Sequence, residues 1–386
     1  MKNDGFMIKT TLKTIFHRLF LLTLLVSAPA WADETGGGFL LTVPLTGPLG
    51  QLGLHARQGA ELALKTWGGG FFLEVADEAV GLREDFNVSS VRLALGYFTA
   101  SRFQTDAPLY LHLRKPVILP FLTNPEAVAA GPGLFFRLIP TFQEQGRFLA
   151  LEILKMSKRP RSIVIVRGAG EDQTSLATAL EETLAAPEQA QPGGRAGSAG
   201  AAKSTLKPLD SRVTVLTITL AEAQEPSNFT EFTKSGPDLI ILALSRVEAL
   251  SLAPALAESK WSKAAVWGGV ILGFREVGAA FASLKLNLHL GLPVVNLADD
   301  RPKEVREFKQ SYVAAFRAQP TWISALAYDS LNLAIKAASS AETPEGLLAF
   351  LYGQTHHALG LYDWSAGAMM PMEMMPVKIE TLGFLP

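Results

Sequence analysis

Apolar and polar positions alternate along the chain in two periods. Gly38 to Val43 (GFLLTV) is a continuous apolar run of strand length, the pattern of a strand covered on both faces. The turn Thr46-Gly47-Pro48-Leu49-Gly50 ends it. From there Leu52, Ala56, Gly59, Ala60, Ala63 and Trp67 recur every three or four residues, one stripe of a helix. Trp67-Gly68-Gly69-Gly70 breaks that helix, and Phe71 to Asp77 reads as the next strand. The unit is strand, turn, helix, strand.

The alternation continues. Strands are predicted at 91–96, 116–120, 162–166, 213–220, 238–244, 264–269 and 288–295, the last returning toward the first lobe. Helices are predicted at 103–114, 141–156, 174–184, 247–257, 274–284, 304–318 and 324–339. This order predicts an α/β chain with parallel sheets flanked by helices. Between Asp77 and Val91 the segment is short and poorly periodic, predicting a helix of about one turn or an irregular edge. Residues 186–204, rich in Gly, Ala, Pro and Gln, have almost no bulky side chain to offset their ordering entropy and predict a mobile surface loop.

Length and charge change the picture in two ways. At 386 residues and 48% hydrophobic, the chain exceeds one ordinary domain, so two lobes are expected. A net charge of −1 leaves no electrostatic footprint for nucleic acid or an anionic membrane surface. Residues 1–32 have the form of a secretory signal. Lys2, Lys9, Lys13 and Arg18 are its basic region, Leu19 to Val26 its apolar core, and Ala30-Trp31-Ala32 its cleavage site. A mature chain starting at Asp33, in the periplasm and not embedded in the membrane, is expected. Cysteine is absent, which excludes a disulfide or a lipid anchor on a thiol.

Catalytic patterns are weak. His55, His112, His289, His356 and His357 are scattered, and no H-E-x-x-H, G-x-S-x-G or P-loop occurs. Met369, Met370, Met372, Met374 and Met375 cluster near the C-terminus. They suit a flexible apolar patch better than a thioether copper site. Neither an enzyme nor a bound cofactor or metal is expected.

Several stretches carry a family resemblance in order. VPLTGPLGQLGLHARQGAELAL, Phe121-Leu122-Thr123-Asn124-Pro125, Phe135-Phe136-Arg137-Leu138-Ile139-Pro140, Trp267-Gly268-Gly269 and Ala327-Tyr328-Asp329-Ser330 resemble segments of the type I periplasmic binding proteins, the Leu/Ile/Val-binding receptors of ABC transporters. The resemblance implies two Rossmann-like lobes joined by three hinge crossovers: 33–141 with about 285–340, and 142–284 with about 341–386. It also implies a monomer that captures a small solute, amino-acid-like, carboxylate or amide, and hands it to an inner-membrane ABC permease. A sensory subunit for a membrane receptor or kinase, and a member serving a protein partner, stay open beside it.

By position, the resemblance places Thr99 or Ser101 and Thr123 as ligand hydroxyls, although such residues also cap helices. Gly47 to Gln51 becomes a cleft wall or a tight turn. The second-lobe turn containing Asp172 lacks the Tyr, and the turn ending in Gly269 lacks the acid, that hold an ammonium group in amino-acid-binding members. Phe121 and Trp267 line an apolar pocket or lie in the core.

Overall fold

The computed structural model describes residues 37–82, 88–131, 133–186, 213–225, 236–292, 297, 303–353, 355–357, 361–363 and 375–378. The predicted signal segment, the predicted loop from 187 to 204 and all of the methionine cluster except Met375 lie outside them.

The first lobe follows the opening pattern. Strand β1 (Gly38–Val43) runs through the turn into helix α1 (Gly50–Trp67), then β2 (Phe72–Asp77), β3 (Val91–Gly96), α2 (Ala100–His112), β4 (Val117–Leu119), the short α3 (Pro125–Ala129) and β5 (Phe135–Arg137). These strands form a parallel sheet in the order β2-β1-β3-β4-β5. Every residue of β1 is buried, and its side chains alternate between two cores. Phe39, Leu41 and Val43 join one, while Leu40 joins another with Tyr97, Phe103 and Tyr110. Between β2 and β3 the described residues hold only a 3-10 turn, Val88–Ser90.

The second lobe begins with α4 (Phe142–Lys155), β6 (Ser162–Arg167) and α5 (Glu171–Ala185). It continues through β7 (Thr214–Thr219), the short α6 (Leu220–Ala223), β8 (Leu239–Ala243), α7 (Arg246–Glu258), β9 (Ala265–Gly268), α8 (Arg275–Ser283) and β10 (Asn287–Leu292). The chain then forms α9 (Lys303–Phe316), α10 (Trp322–Ser340), α11 (Pro344–Gly353), a small β11 (Thr355–His357)–β12 (Leu361–Asp363) hairpin and β13 (Met375–Lys378). The second sheet has the order β13-β10-β9-β8-β6-β7, parallel except for β13. Ile163 and Ile165 face the α4 and α5 side; Val164 and Val166 face the opposite core.

Two expectations about the lobes are corrected. The strand expected to return toward the first lobe is β10, which pairs with β9 inside the second sheet. Its alternation of buried Leu288 and Leu290 specifies a strand but carries no information about which sheet it joins. The stretch from about 341 to 386, expected whole in the second lobe, is divided, because α11 packs on the first. Tyr352 meets Phe136 with ring centroids 5.3 Å apart, and Glu345 faces Arg114. Among the described residues of this stretch, only β13 joins the second sheet, beside β10.

Helix α10 also returns to the first lobe and lies against α1. A Cβ on Gly59 would sit 2.0 Å from the Ser324 backbone oxygen, so glycine there sets how closely the two helices approach. Both sheets belong to one compact unit, 37–386, and the chain passes between them three times: at 138–141, between β10 and α9, and between α11 and β13.

Candidate ligand cleft

Loops at the carboxyl ends of parallel strands are where α/β folds place their ligands. In the first lobe that edge is tied together by two adjacent acids at the end of β2. Asp77 accepts hydrogen bonds from the Leu45 amide (2.8 Å), the Thr46 hydroxyl (2.6 Å) and the Ala79 amide (3.0 Å). Glu78, 4% exposed, accepts from the amides of Phe98 (2.8 Å) and Thr99 (2.7 Å) and from the Thr99 hydroxyl (2.6 Å).

The two carboxyls are shifted in opposite directions. Burial pushes Glu78 above the ordinary glutamate range, and its hydrogen bonds and the Arg102 charge only partly oppose this. For Asp77 burial also acts upward, but the bonds from Thr46, Leu45 and Ala79 outweigh it and hold the group below its usual value.

Beside them, Phe98 and Phe121 stack with centroids 4.2 Å apart and planes at 20°, joining the loop after β3 to the loop after β4. Arg102 turns back along α2 onto Asp106, with bonds of 2.8 and 3.2 Å. Tyr97, at a positive φ of 67°, carries its hydroxyl into the core, where it meets Tyr110 and Asp106.

At the first crossover, Thr141 caps α4 with a reciprocal Thr141–Glu144 box, and Glu144 also pairs with Arg137 (3.0 Å), which is 8% exposed. The next residue, Gln145, is fully buried and spans the lobe junction. Its amide nitrogen donates to the Pro140 carbonyl (3.0 Å), and its oxygen accepts from the Val270 amide (3.1 Å). A second link lies at the start of α10, where the Trp322 indole donates to the Gly273 carbonyl (2.9 Å).

A cavity of about 420 Å³ opens beside the first crossover, at Thr141. The first lobe supplies Thr123 and Pro125, the crossover supplies Thr141, and the first turn of α4 supplies Phe142 and Gln143. Helix α5 supplies Glu171, Asp172, Thr174, Ser175, Thr178, Ala179 and Glu182. Hydroxyls and carboxylates dominate this lining, and it contains no Lys, Arg or His. Burial, with the neighbouring Glu171 charge, raises the Asp172 carboxyl above its ordinary value.

Solved structures share this architecture throughout. A substrate-binding protein of an ABC transporter from Desulfitobacterium hafniense, in complex with Leu, superposes with a TM-score of 0.65 at 17% identity over 87% of this chain and 95% of that one. A solute-binding protein from Rhodopseudomonas palustris BisB5, in complex with 3,4-dihydroxybenzoic acid, does so at 0.65 and 14% identity over 87% and 91%. A leucine-binding protein from Thermotoga maritima gives 0.63 at 14% identity over 87% and 93%. The fold is that of the type I periplasmic binding proteins. No protein-family model matches the sequence, and no curated protein does. The neighbours named are solute-binding proteins rather than enzymes, and among the described residues no helix is long and apolar enough to cross a membrane.

Within the periplasmic-binding-protein fold, the nine residues singled out by sequence fall into separate groups. Thr123 and Asp172 meet at the cavity. Thr99 holds the N-cap position of α2, yet its hydroxyl makes no cap bond and donates to Glu78 instead. Phe121, 7% exposed, stacks on Phe98. Gly47, at a φ of +74°, shapes the exposed turn before α1, and Gln51 and Ser101 are exposed in first helical turns.

Trp267 is core rather than cleft wall. It is 7% exposed in β9 and packs with residues of α4 and α5, because its side chain projects from the face those helices cover. Gly269 borders the junction, where a Cβ would meet the Gln145 oxygen at 2.7 Å. Sequence reasoning missed Glu78, Phe98 and Gln145. The adjacent Asp77-Glu78 pair at a strand end was the available signal; Gln145 had none, since a glutamine in a first helical turn reads as solvent-facing.

Proposed function

We propose that this chain is the solute receptor of an ABC importer, working in the periplasm after loss of residues 1–32. It takes a small organic solute between its two lobes and passes it to a permease. The observation that carries this reading is the cavity at the lobe junction, lined by Thr123 and Pro125 from one lobe and by α5 from the other. A solute seated there touches both lobes, so its binding energy acts on their relative position. Bound leucine and dihydroxybenzoic acid in fold neighbours support a small organic ligand as the class.

The test is a thermal-shift screen of residues 33–386 against amino acids, aliphatic and aromatic carboxylates, amides and amines. A ligand at about 100 times its dissociation constant adds about 2.7 kcal/mol, a rise of a few degrees. If no small molecule moves the transition, the receptor reading is refuted, and the alternative of a cleft serving a protein partner takes its place.

A further inference from the structure

We propose that the solute is a linear polyamine, held lengthwise along helix α5 by carboxylates at both ends of that helix. The inference rests on the solute-receptor reading above and names the class of molecule that its cavity takes. Glu171, Ser175, Thr178 and Glu182 follow one another at spacings of four, three and four, which sets them in a single row down one face of α5, with Asp172 beside the first. At a rise of about 1.5 Å per residue the row is about 16 Å long. Thr123 lines the same cavity from the first lobe.

Every charged group in the lining is anionic, and Arg147, one turn beyond Gln143 on α4, is not part of it. Among the described residues none of the three acids takes part in an ion pair. Glu171 and Asp172 lie in the first turn of α5, where the helix dipole favours an acid whether or not a ligand is present. Glu182 lies in the last turn, where the same dipole opposes it, so the helix itself gives no reason for that carboxylate. Burial and the Glu171 charge already raise the Asp172 carboxyl, and a bound ammonium group would relieve that repulsion.

Negative charge spread along a row does not suit a single small ion, and among the described residues no three acidic or histidine side chains come together as a metal site. Ammonium groups spaced along one flexible chain match the row. The carboxylates pair with the two ends, and the Ser175 and Thr178 hydroxyls accept hydrogen bonds from the amines between them. A solute carrying a carboxylate would meet like charge instead.

The test is calorimetric titration and melting of residues 33–386 with spermidine and spermine, against butylamine and magnesium chloride at equal ionic strength. Both polyamines bind, and at about 100 times the dissociation constant they raise the melting temperature by a few degrees; butylamine and magnesium do not. Glu182→Gln folds as the wild type does, since the side chain is exposed, and binds spermidine about fivefold more weakly. The double variant Glu171→Gln, Asp172→Asn weakens binding at least as much. Glu258→Gln, the same loss of charge at the exposed end of α7, leaves the affinity unchanged.

Magnesium acting as strongly as spermidine, an affinity unaltered in Glu182→Gln, or an equal loss in Glu258→Gln would overturn the proposal. Amino acids or carboxylates that stabilise the protein where polyamines do not would overturn it too, while leaving the receptor reading in place. No response to any class of solute would remove both.

Discussion

Gln145 is the side chain whose loss should be felt most at the lobe junction. In Gln145→Leu the volume is nearly kept, so the effect is one of polar satisfaction rather than of a cavity. Two bonds vanish together, to the Pro140 carbonyl at 3.0 Å and from the Val270 amide at 3.1 Å, in a position with no exposure to water. An unsatisfied buried donor or acceptor costs about 1–3 kcal/mol, so the pair costs about 2–6 kcal/mol. Burying Leu in place of an amide returns about 1–2 kcal/mol. The net expectation is a loss of about 3 kcal/mol. Urea unfolding followed by tryptophan fluorescence measures it as a lower midpoint with an unchanged slope. A midpoint equivalent to a loss of less than about 0.5 kcal/mol would refute the reasoning, because it would mean that water or a shifted carbonyl replaces both bonds at little cost.

Two further outcomes follow from other parts of the fold. Gly59→Ala gains about 1 kcal/mol of helix propensity, but its Cβ would lie 2.0 Å from the Ser324 backbone oxygen, where no rotamer change gives relief. Overpacking of about 1–3 kcal/mol or more wins, so thermal unfolding should show a lower transition; a more stable variant would refute it. Asp77 and Glu78 should give opposite pH dependences. Asp77, held below its ordinary 3.8, contributes stability that is present above that value and lost as pH falls through its lower folded value, so the wild-type advantage over Asp77→Asn shrinks in acid. Glu78, raised above its ordinary 4.5, contributes stability that is full below that value and lost as pH rises through its folded value, so the wild-type advantage over Glu78→Gln shrinks with rising pH. Urea midpoints between about pH 3 and 6 test the pair, and slopes of equal sign would refute the assignment.

Local periodicity by itself determined much of this protein. The apolar run 38–43 and the stripe from Leu52 to Trp67 contain strand β1 and helix α1 almost to the residue, since a strand buried on both faces and a helix with one buried stripe leave different spacings. The order of strands and helices likewise announced parallel sheets. Which sheet a strand joins is not written in its own residues. The pattern of β10 would suit either lobe, and only its pairing with β9 and β13 assigned it to the second. The same limit applies to the site. Thr99 and Thr123 were legible as hydroxyls near strand ends, but a hydroxyl in sequence does not reveal its partner. Tertiary structure decided that Thr99 is held by Glu78 while Thr123 lines the cavity, and that Trp267 turns into the core. The physical reason is common to all three. Spacing along a chain fixes the face on which a side chain emerges, whereas its partner is fixed by contacts between residues far apart in sequence.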